Sequence, residues 1–260
     1  MPTQLVNSSE QLNDLSGGWI PTSVPITFVS ADSPSYLVSV NYNVTGTFGV
    51  GMKMKLTHQS STKNFIITQV TFTGTSTQLN LYGGADFTLN VTGAITNPSY
   101  STQKSPFGFD TNPDKWTQST ITSDSPAITS PSAATWYGGA GLSPTGPSLS
   151  IPIGVWRVSY KIVIDISITL VAITAVGSRA TLSTANNSES DVEWTTAVSV
   201  SLPVGTDTQR ATYKEEKIIN LASKTTYFMN MFTGNSGVSS MTMNTAGVFR
   251  NIIKAVCAYL

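Results

Sequence analysis

The chain has few charged residues, one cysteine and one histidine, and each shortage excludes a class of protein. Charged residues make up 11% of the 260 residues, with 14 acidic and 14 basic side chains, against about 25% in an average soluble domain. A net charge of zero without a basic stripe argues against nucleic acid as a partner. The single cysteine, Cys257, excludes a disulfide framework and a cysteine-rich metal site.

The sequence also lacks the motifs of common catalytic sites. The only histidine, His58, follows an expected strand and is interpreted as a surface-loop residue, and no Gly-x-Ser-x-Gly motif accompanies it. Cys257 lies in an apolar segment, which favours a buried, unreactive thiol over a nucleophile. We therefore predict that the protein is not an enzyme, and that it has no catalytic residue, no metal and no cofactor.

No apolar run approaches the ~20 residues that cross a bilayer, so we predict no membrane insertion. The N-terminus, MPTQLVNSSEQL, lacks the basic head and apolar centre of a signal peptide. Serine, threonine, asparagine and glycine supply the polarity in place of lysine and glutamate, which is typical of extracellular and virion β-proteins. The combination predicts a virion component that is made in the bacterial host cytoplasm and released by lysis.

Four zones follow one another along the chain. Residues 1–17 are polar and predict an N-terminal arm or short helix, and residues 18–116 form a first β-rich block. Residues 117–149 are rich in serine, threonine, proline and glycine, which interrupt both periodicities and predict a linker. Residues 150–260 form a second β-rich block. The whole pattern predicts an all-β protein.

The first block contains short apolar segments separated by turn residues, which is typical of a small β-barrel or sandwich. The expected strands are Ile26–Val29, Tyr36–Val40, Met52–Thr57, Asn64–Phe72 and Gln78–Tyr82.

The second block opens with a long alternation, in which every second residue from Trp156 to Leu170 is apolar. At ~3.3 Å per residue this run would reach about 50 Å, so we expect a bend, bulge or turn within it. About eight strands in some 110 residues fit a jelly-roll sandwich.

The segment from Ile252 to Leu260 is apolar on both faces, apart from Lys254. A strand with one solvated face should alternate apolar and polar residues. This strand therefore needs cover on both sides, which predicts a tightly packed homo-oligomer. The expected interface residues are Ile252, Val256, Ala258, Tyr259 and Leu260.

Two places could bind a ligand. Glu189, Asp191 and Glu193 alternate beside Trp194, so on a strand the carboxylates would share one edge. Such an edge suits a sugar site, or a glycosidase-like pair, although a solvated strand face or loop explains the same pattern. The predicted ligand-binding residues are Trp194 with Asp191 and Glu193, and Trp136 with Tyr137 in the 117–149 segment. The alternative for every tryptophan is core packing.

Several phrases of residues 18–117 together resemble a module of tail-associated structural proteins in tailed phages and prophages, mostly of Gram-positive hosts. That module precedes variable C-terminal domains and carries no catalytic motif. The phrases are Gly18–Pro21 (GWIP), Ser30–Asp32 (SAD), Val50–Thr57 (VGMKMKLT), Phe65–Thr68 (FIIT), Leu81–Leu89 (LYGGADFTL), Tyr100–Lys104 (YSTQK) and Pro113–Trp116 (PDKW).

The second block resembles the trimeric jelly-roll heads, of tumour-necrosis-factor-like type, on phage receptor-binding proteins. The resemblance implies a homotrimer in which a late strand lies near the threefold axis. It rests on Ser150–Val158 (SIPIGVWRV), Lys224–Phe228 (KTTYF) and Ile253–Leu260 (IKAVCAYL).

These resemblances imply a non-enzymatic receptor-binding protein of a phage tail or baseplate. The arm or first barrel would attach to other tail or baseplate proteins, and the head would bind host cell-wall saccharide. One alternative is a structural virion protein without a receptor role, such as a head fibre, decoration or baseplate subunit. A polysaccharide-degrading tail enzyme ranks last, because no carboxylate pair stands out.

Overall fold

The structure is a computed structural model that describes residues 17–121, 127–138, 147–168, 175–201, 207–243 and 250–260. The expected arm (1–17) lies outside these residues except for Gly17. The described chain is almost entirely antiparallel β-structure, which confirms the all-β class. The strands are β1 (Ile20–Pro21), β2 (Thr27–Asp32), β3 (Ser35–Val40), β4 (Lys53–His58), β5 (Ser61–Phe72), β6 (Thr77–Tyr82), β7 (Ile95–Ser101), β8 (Thr117–Ile121), β9 (Ile128–Thr129), β10 (Thr135–Gly138), β11 (Ser148–Ile151), β12 (Gly154–Ile168), β13 (Ala175–Ser183), β14 (Thr196–Ser201), β15 (Asp207–Leu221), β16 (Thr225–Thr233), β17 (Val238–Met243) and β18 (Ile252–Cys257).

Helical structure among the described residues is limited to two short 3-10 turns, Pro113–Trp116 and Val192–Trp194. In this part of the chain, no helix has the length and apolar character needed to cross a membrane.

The first seven strands form one antiparallel sheet in the order β1-β7-β4-β5-β6-β3-β2. The sheet curls into a half-barrel around an apolar face, because alternate residues of its central strands point to the same side. Loop residues Val44, Phe48 and Leu89 close the open side of this core. The core residues on the strands are Tyr36, Val38, Val40, Met54, Leu56, Phe65, Ile67, Leu79 and Leu81.

The remaining strands form a sandwich of two sheets with a jelly-roll-like layout. One sheet has the order β8-β18-β12-β17-β9, with β15 also paired to β12. The other has the order β10-β16-β13-β14, with β11 also paired to β16. We call them the six-stranded and the five-stranded sheet. Apolar side chains from both sheets fill the space between them.

Strand β12 is the central element of the sandwich. It runs as one strand for 15 residues, and the expected irregularity is a bulge-like register shift in its pairing with β17, between Ser167 and Ile168. Along one edge, β12 pairs over its whole length with β15. On its other edge β18 and β17 lie end to end. At the gap between those two strands, the buried Asn251 side chain accepts a hydrogen bond from the Val163 N–H at 2.6 Å.

Residues 117–149, which we expected to link the two blocks, contribute strands to the sandwich. Strands β8 and β9 join the six-stranded sheet, whereas β10 and β11 pair with β16 of the five-stranded sheet. These strands are only two to five residues long, because proline and glycine interrupt the segment. Each of them nevertheless pairs with a longer strand of one of the two sheets.

The outward face of the first sheet packs against the sandwich. Tyr82 lies edge-on to Trp156 of β12, with ring centroids 4.9 Å apart, and its hydroxyl accepts a hydrogen bond from Gln118 at 3.0 Å. A continuous cross-strand row from β2 to β7 forms this face, namely Asp32, Ser35, Tyr82, Ile66, Lys53 and Ser101.

Lys53 is the charged group at the centre of this junction and is only 1% exposed. Its ammonium donates to the carbonyl oxygens of Gly51, at 3.1 Å, and Tyr259, at 2.6 Å. It also lies 5.3 Å from the ring centroid of Phe109. Burial removes water from the ammonium and lowers the pKa of Lys53 to about 8.

The Lys53 pKa predicts a pH dependence of stability. Between pH 8 and 10.5 the folded state holds fewer protons at Lys53 than the unfolded state, so raising the pH increases stability. The slope should approach 1.4 kcal/mol per pH unit at most, about the value of one proton. Urea unfolding between pH 8 and 9.5 should show this rise, and a Lys53→Met variant should lack it.

The comparison is best made in a Cys257→Ala background. Burial raises the pKa of the Cys257 thiol to about 11, and this shift lowers stability as the pH rises through the same range. Lys214→Met, which changes an exposed lysine of β15, serves as the control and should keep the parent slope. Parallel pH profiles for the Lys53→Met and parent proteins would contradict the assignment.

Candidate ligand-binding site

Trp194 lies in the core of the sandwich. It ends the 3-10 turn Val192–Trp194 and is 2% exposed. Its ring packs between Tyr160 and Tyr227, with centroids 6.2 and 6.3 Å away, and its carbonyl oxygen accepts the Tyr160 hydroxyl at 2.7 Å. In this chain the Trp194 ring therefore has no open face on which a sugar could stack, which matches the core-packing alternative.

The carboxylates beside Trp194 do not lie on a strand as the pattern suggested. Asp191 caps the 3-10 turn by accepting the Glu193 N–H at 2.9 Å, and Glu189 accepts the Thr195 hydroxyl. Lys217 of β15 forms ion pairs with Asp191, at 3.3 Å, and Glu193, at 2.5 Å. Partial burial alone would lower the pKa of Lys217, but hydrogen bonds and charge attraction from these two carboxylates raise it overall.

Trp136 and Tyr137 point to opposite sides of β10. Tyr137 faces inward and packs against the sandwich core, where its hydroxyl accepts the Ser132 N–H at 2.7 Å. Trp136 faces outward and is half-buried. The structure thus separates these two predicted ligand residues, because adjacent residues of a strand alternate between faces.

A row of large side chains crosses the outer face of the five-stranded sheet beside Trp136. Cross-strand pairing aligns Trp136 of β10, Phe232 of β16 and Arg179 of β13. The Trp136 and Phe232 rings are 5.0 Å apart at 46°, and the Arg179 guanidinium lies 5.1 Å from the Phe232 ring centroid. We call Trp136, Phe232 and Arg179 the aromatic row.

A groove of about 280 Å³ runs alongside the aromatic row. Phe232 and Arg179 line it, whereas Trp136 lies outside its lining. The other lining residues are small apart from Val198, namely Gly177, Ser178, Ala197, Ser199 and Gly234. The Arg179 side chain is exposed, and no carboxylate among the described residues forms an ion pair with it. The groove therefore combines an aromatic platform with a guanidinium that can donate hydrogen bonds.

Sequence reasoning missed Phe232 and Arg179. A usable signal was present in the segment Thr226–Phe232, where apolar residues occupy both faces. Tyr227, Met229 and Met231 fill the core, which leaves Phe228 and Phe232 for the outer face.

The terminal strand has one face in its own core. Ile253, Ala255 and Cys257 are 0 to 2% exposed between the two sheets. The raised pKa of Cys257, caused first by burial, keeps the thiol protonated and unreactive at neutral pH.

The expected interface residues divide into two groups. Ile252 and Val256 are half-buried on the outer face of the six-stranded sheet, and Ala258 is exposed. Tyr259 and Leu260 instead pack against the core of their own chain.

Two other expectations concern histidine and metal. His58, expected in a surface loop, is fully buried at the end of β4, where its Nε2 lies 3.2 Å from the Asn90 carbonyl oxygen. Within the described ranges, no three histidine, cysteine, aspartate or glutamate side chains converge as metal ligands.

Comparison with known proteins adds little to this geometry. No protein-family profile and no curated protein matches the chain. Among solved structures, the chain is similar to dimeric latent PorU from Porphyromonas gingivalis, with 8% identity and a TM-score of 0.32. The match covers 96% of this chain and 26% of PorU, so the chain spans about a quarter of that protein. Similarity at this level shows neither family nor function.

The contrast between the two tryptophans predicts different mutational costs. Trp194→Ala should lower the free energy of unfolding by about 3–5 kcal/mol, because it opens a cavity in the core. Trp136→Ala should cost only about 1–2 kcal/mol, because Trp136 is half-buried on the surface. Urea unfolding would measure both values, and equal costs would contradict the separation into core and surface roles.

Proposed function

We propose that the chain is a non-enzymatic receptor-binding protein of a phage tail or baseplate, which binds host cell-wall saccharide through the aromatic row. The supporting observation is the half-buried Trp136 beside Phe232 and Arg179, next to a groove that Phe232 and Arg179 line. Aromatic faces cover the apolar side of a sugar ring, whereas guanidinium and hydroxyl groups bond its oxygens.

The position of the aromatic row suits a receptor-binding role. It lies on the outer face of the five-stranded sheet, whereas the junction with the first unit involves Trp156 and Tyr259 of the other sheet and terminal segment. The first unit, or the arm before it, would attach to other tail or baseplate proteins. The two functions would then occupy different parts of the same chain.

We further propose that the protein is a homotrimer that associates through the outer face of the six-stranded sheet. Cross-strand pairing aligns Ile218, Arg157 and Val256 on this face, and Ile218 is 70% exposed. Burial of Ile218, Ile252 and Val256 by neighbouring subunits would remove apolar surface from water. Three linked saccharide sites would multiply a weak affinity per site.

The two alternatives make different predictions for purified protein. A structural virion protein, such as a head fibre, decoration or baseplate subunit, would bind no host wall. A polysaccharide-degrading enzyme would release reducing ends from that wall. The ion pairs that engage Asp191 and Glu193 through Lys217 do not favour an acid–nucleophile pair there.

Saccharide binding is tested with Trp136→Ala on a glycan array and on cell walls of Gram-positive bacteria. Loss of the platform should weaken binding by about 2 kcal/mol, roughly thirtyfold, as for a dominant contact residue. Phe107→Ala removes an aromatic side chain that is 85% exposed on the first unit, and should bind like the parent. Unchanged binding by folded Trp136→Ala protein would rule out the aromatic row.

The assembly is tested with Val256→Asp. Light scattering of the parent should give three times 27.6 kDa. The variant should be a folded monomer, because a charge buried between subunits costs about 3–5 kcal/mol whereas Val256 is only half-buried within its own chain. Val91→Asp, at a residue 81% exposed on the first unit, is the matched control. A trimeric Val256→Asp protein would defeat this interface.

A further inference from the structure

A cavity of about 260 Å³ lies at the junction of the two β units. The outward face of the first sheet supplies Asp32, Ser35, Leu37 and Asn80 to one side. The turns before β12 and after β15 supply the other side, including Pro152 and Lys224. The cavity is separate from the aromatic row, because none of its lining residues belongs to β10, β13 or β16.

Ser35 shapes the cavity wall but offers no contact to a ligand. The residue is 5% exposed, and its Oγ has almost no accessible surface. A ligand oxygen at hydrogen-bond distance would need open space beside that atom. The polar contacts of a ligand must therefore come from the other lining residues.

The charges of the cavity balance each other. Lys224 Nζ forms an ion pair with Asp32 Oδ1 across the mouth, and so joins the two units. An anionic ligand would have to displace Asp32, and a cationic ligand would have to displace Lys224. A neutral ligand can keep the pair intact and bond to the remaining carboxylate oxygen and ammonium protons.

The lining offers both donors and acceptors beside apolar surface. Asn80 uses its carbonyl oxygen to accept from the Thr68 hydroxyl at 3.3 Å, which leaves its NH₂ group for a ligand. Leu37 and Pro152 supply apolar contact. Hydroxyl groups match such a lining, because each one donates and accepts.

Size limits the ligand further. The volume is just below the roughly 300–1,000 Å³ of sites that take drug-sized molecules. It would hold about eight or nine waters at roughly 30 Å³ each. One hexose ring fits this space, whereas an oligosaccharide does not.

We propose that the junction cavity binds one neutral monosaccharide or similar polyol, with Asp32, Asn80 and Lys224 as its polar contacts. Because its walls come from both units, the bound ligand ties the first sheet to the sandwich. This site is independent of the aromatic row, so either can fail without the other.

The test uses the full chain with D-glucose, D-galactose and sorbitol as probes. Saturation-transfer NMR detects the contact, and calorimetric titration at tens of millimolar ligand gives the affinity. Asn80→Leu should weaken binding about five- to tenfold, because the ligand hydrogen bond to the Asn80 amide is lost while the size of the side chain is nearly kept. Leu37→Trp should abolish binding by filling the cavity.

Two controls distinguish sugar bound in the cavity from sugar bound elsewhere on the protein. Gln78→Leu removes an amide from the same face of β6 but outside the cavity, and should bind like the parent. Trp136→Ala disables the aromatic row and should leave binding at the cavity unchanged. Hydrogen exchange should also slow at residues 30–37 and 222–224 when sugar is added.

Three results would overturn the proposal. The first is no detectable saturation transfer to any probe, which would mean that the cavity holds water only. The second is binding by folded Leu37→Trp protein that equals binding by the parent. The third is binding that is lost in Trp136→Ala but kept in Leu37→Trp, which would place the sugar on the aromatic row alone.

Discussion

The apolar core of the sandwich extends into the junction with the first unit, because Tyr82 of the first sheet packs edge-on against Trp156 at the start of β12. Trp116 and Phe109 stack beside this contact with ring centroids 4.9 Å apart and extend the core through the junction. Such a junction fixes the relative position of the units more firmly than a flexible linker would. Burial of the Lys53 ammonium at this junction costs desolvation free energy, and its hydrogen bonds to two carbonyl oxygens offset part of that cost.

The sandwich then presents two outer faces of different chemistry. The face of the five-stranded sheet carries Trp136, Phe232 and Arg179 beside a groove, which suits contact with a sugar. The face of the six-stranded sheet carries Ile218, Ile252 and Val256 among charges, which suits contact with another subunit. Strand β12 connects both roles, since its inward residues hold the sheets together and its outward residues lie beside β18.

The sequence predicts where strands lie better than it predicts which strands pair with each other. Turn residues and alternation located β3, β4, β5 and β6 to within a few residues, since those signals are local. The pairing of β12 with β15 along its whole length has no local signal, because β15 lies some 50 residues later in the chain. The short strands within residues 117–149 have no local signal for a related reason, because their pairing partners lie elsewhere in the chain.

In the candidate site, too, the sequence points to single residues but not to the residues that lie beside them. Trp136 was identified as a ligand residue from its aromatic character alone, but Phe232 and Arg179 lie at distant positions that only cross-strand register brings beside it. Trp194 looked equivalent in sequence, and burial between Tyr160 and Tyr227 distinguishes it. The junction cavity had no sequence signal, because its walls come from turns and strands of different units.

The pairing of β8 with β18 has a consequence for biosynthesis. Residues 117–121 receive their partner only after residues 252–257 have left the ribosome. At usual rates of translation, this delay lasts on the order of ten seconds. During that interval the edge of β12 that later accepts β18 is open, and an open strand edge of this kind can pair with another chain.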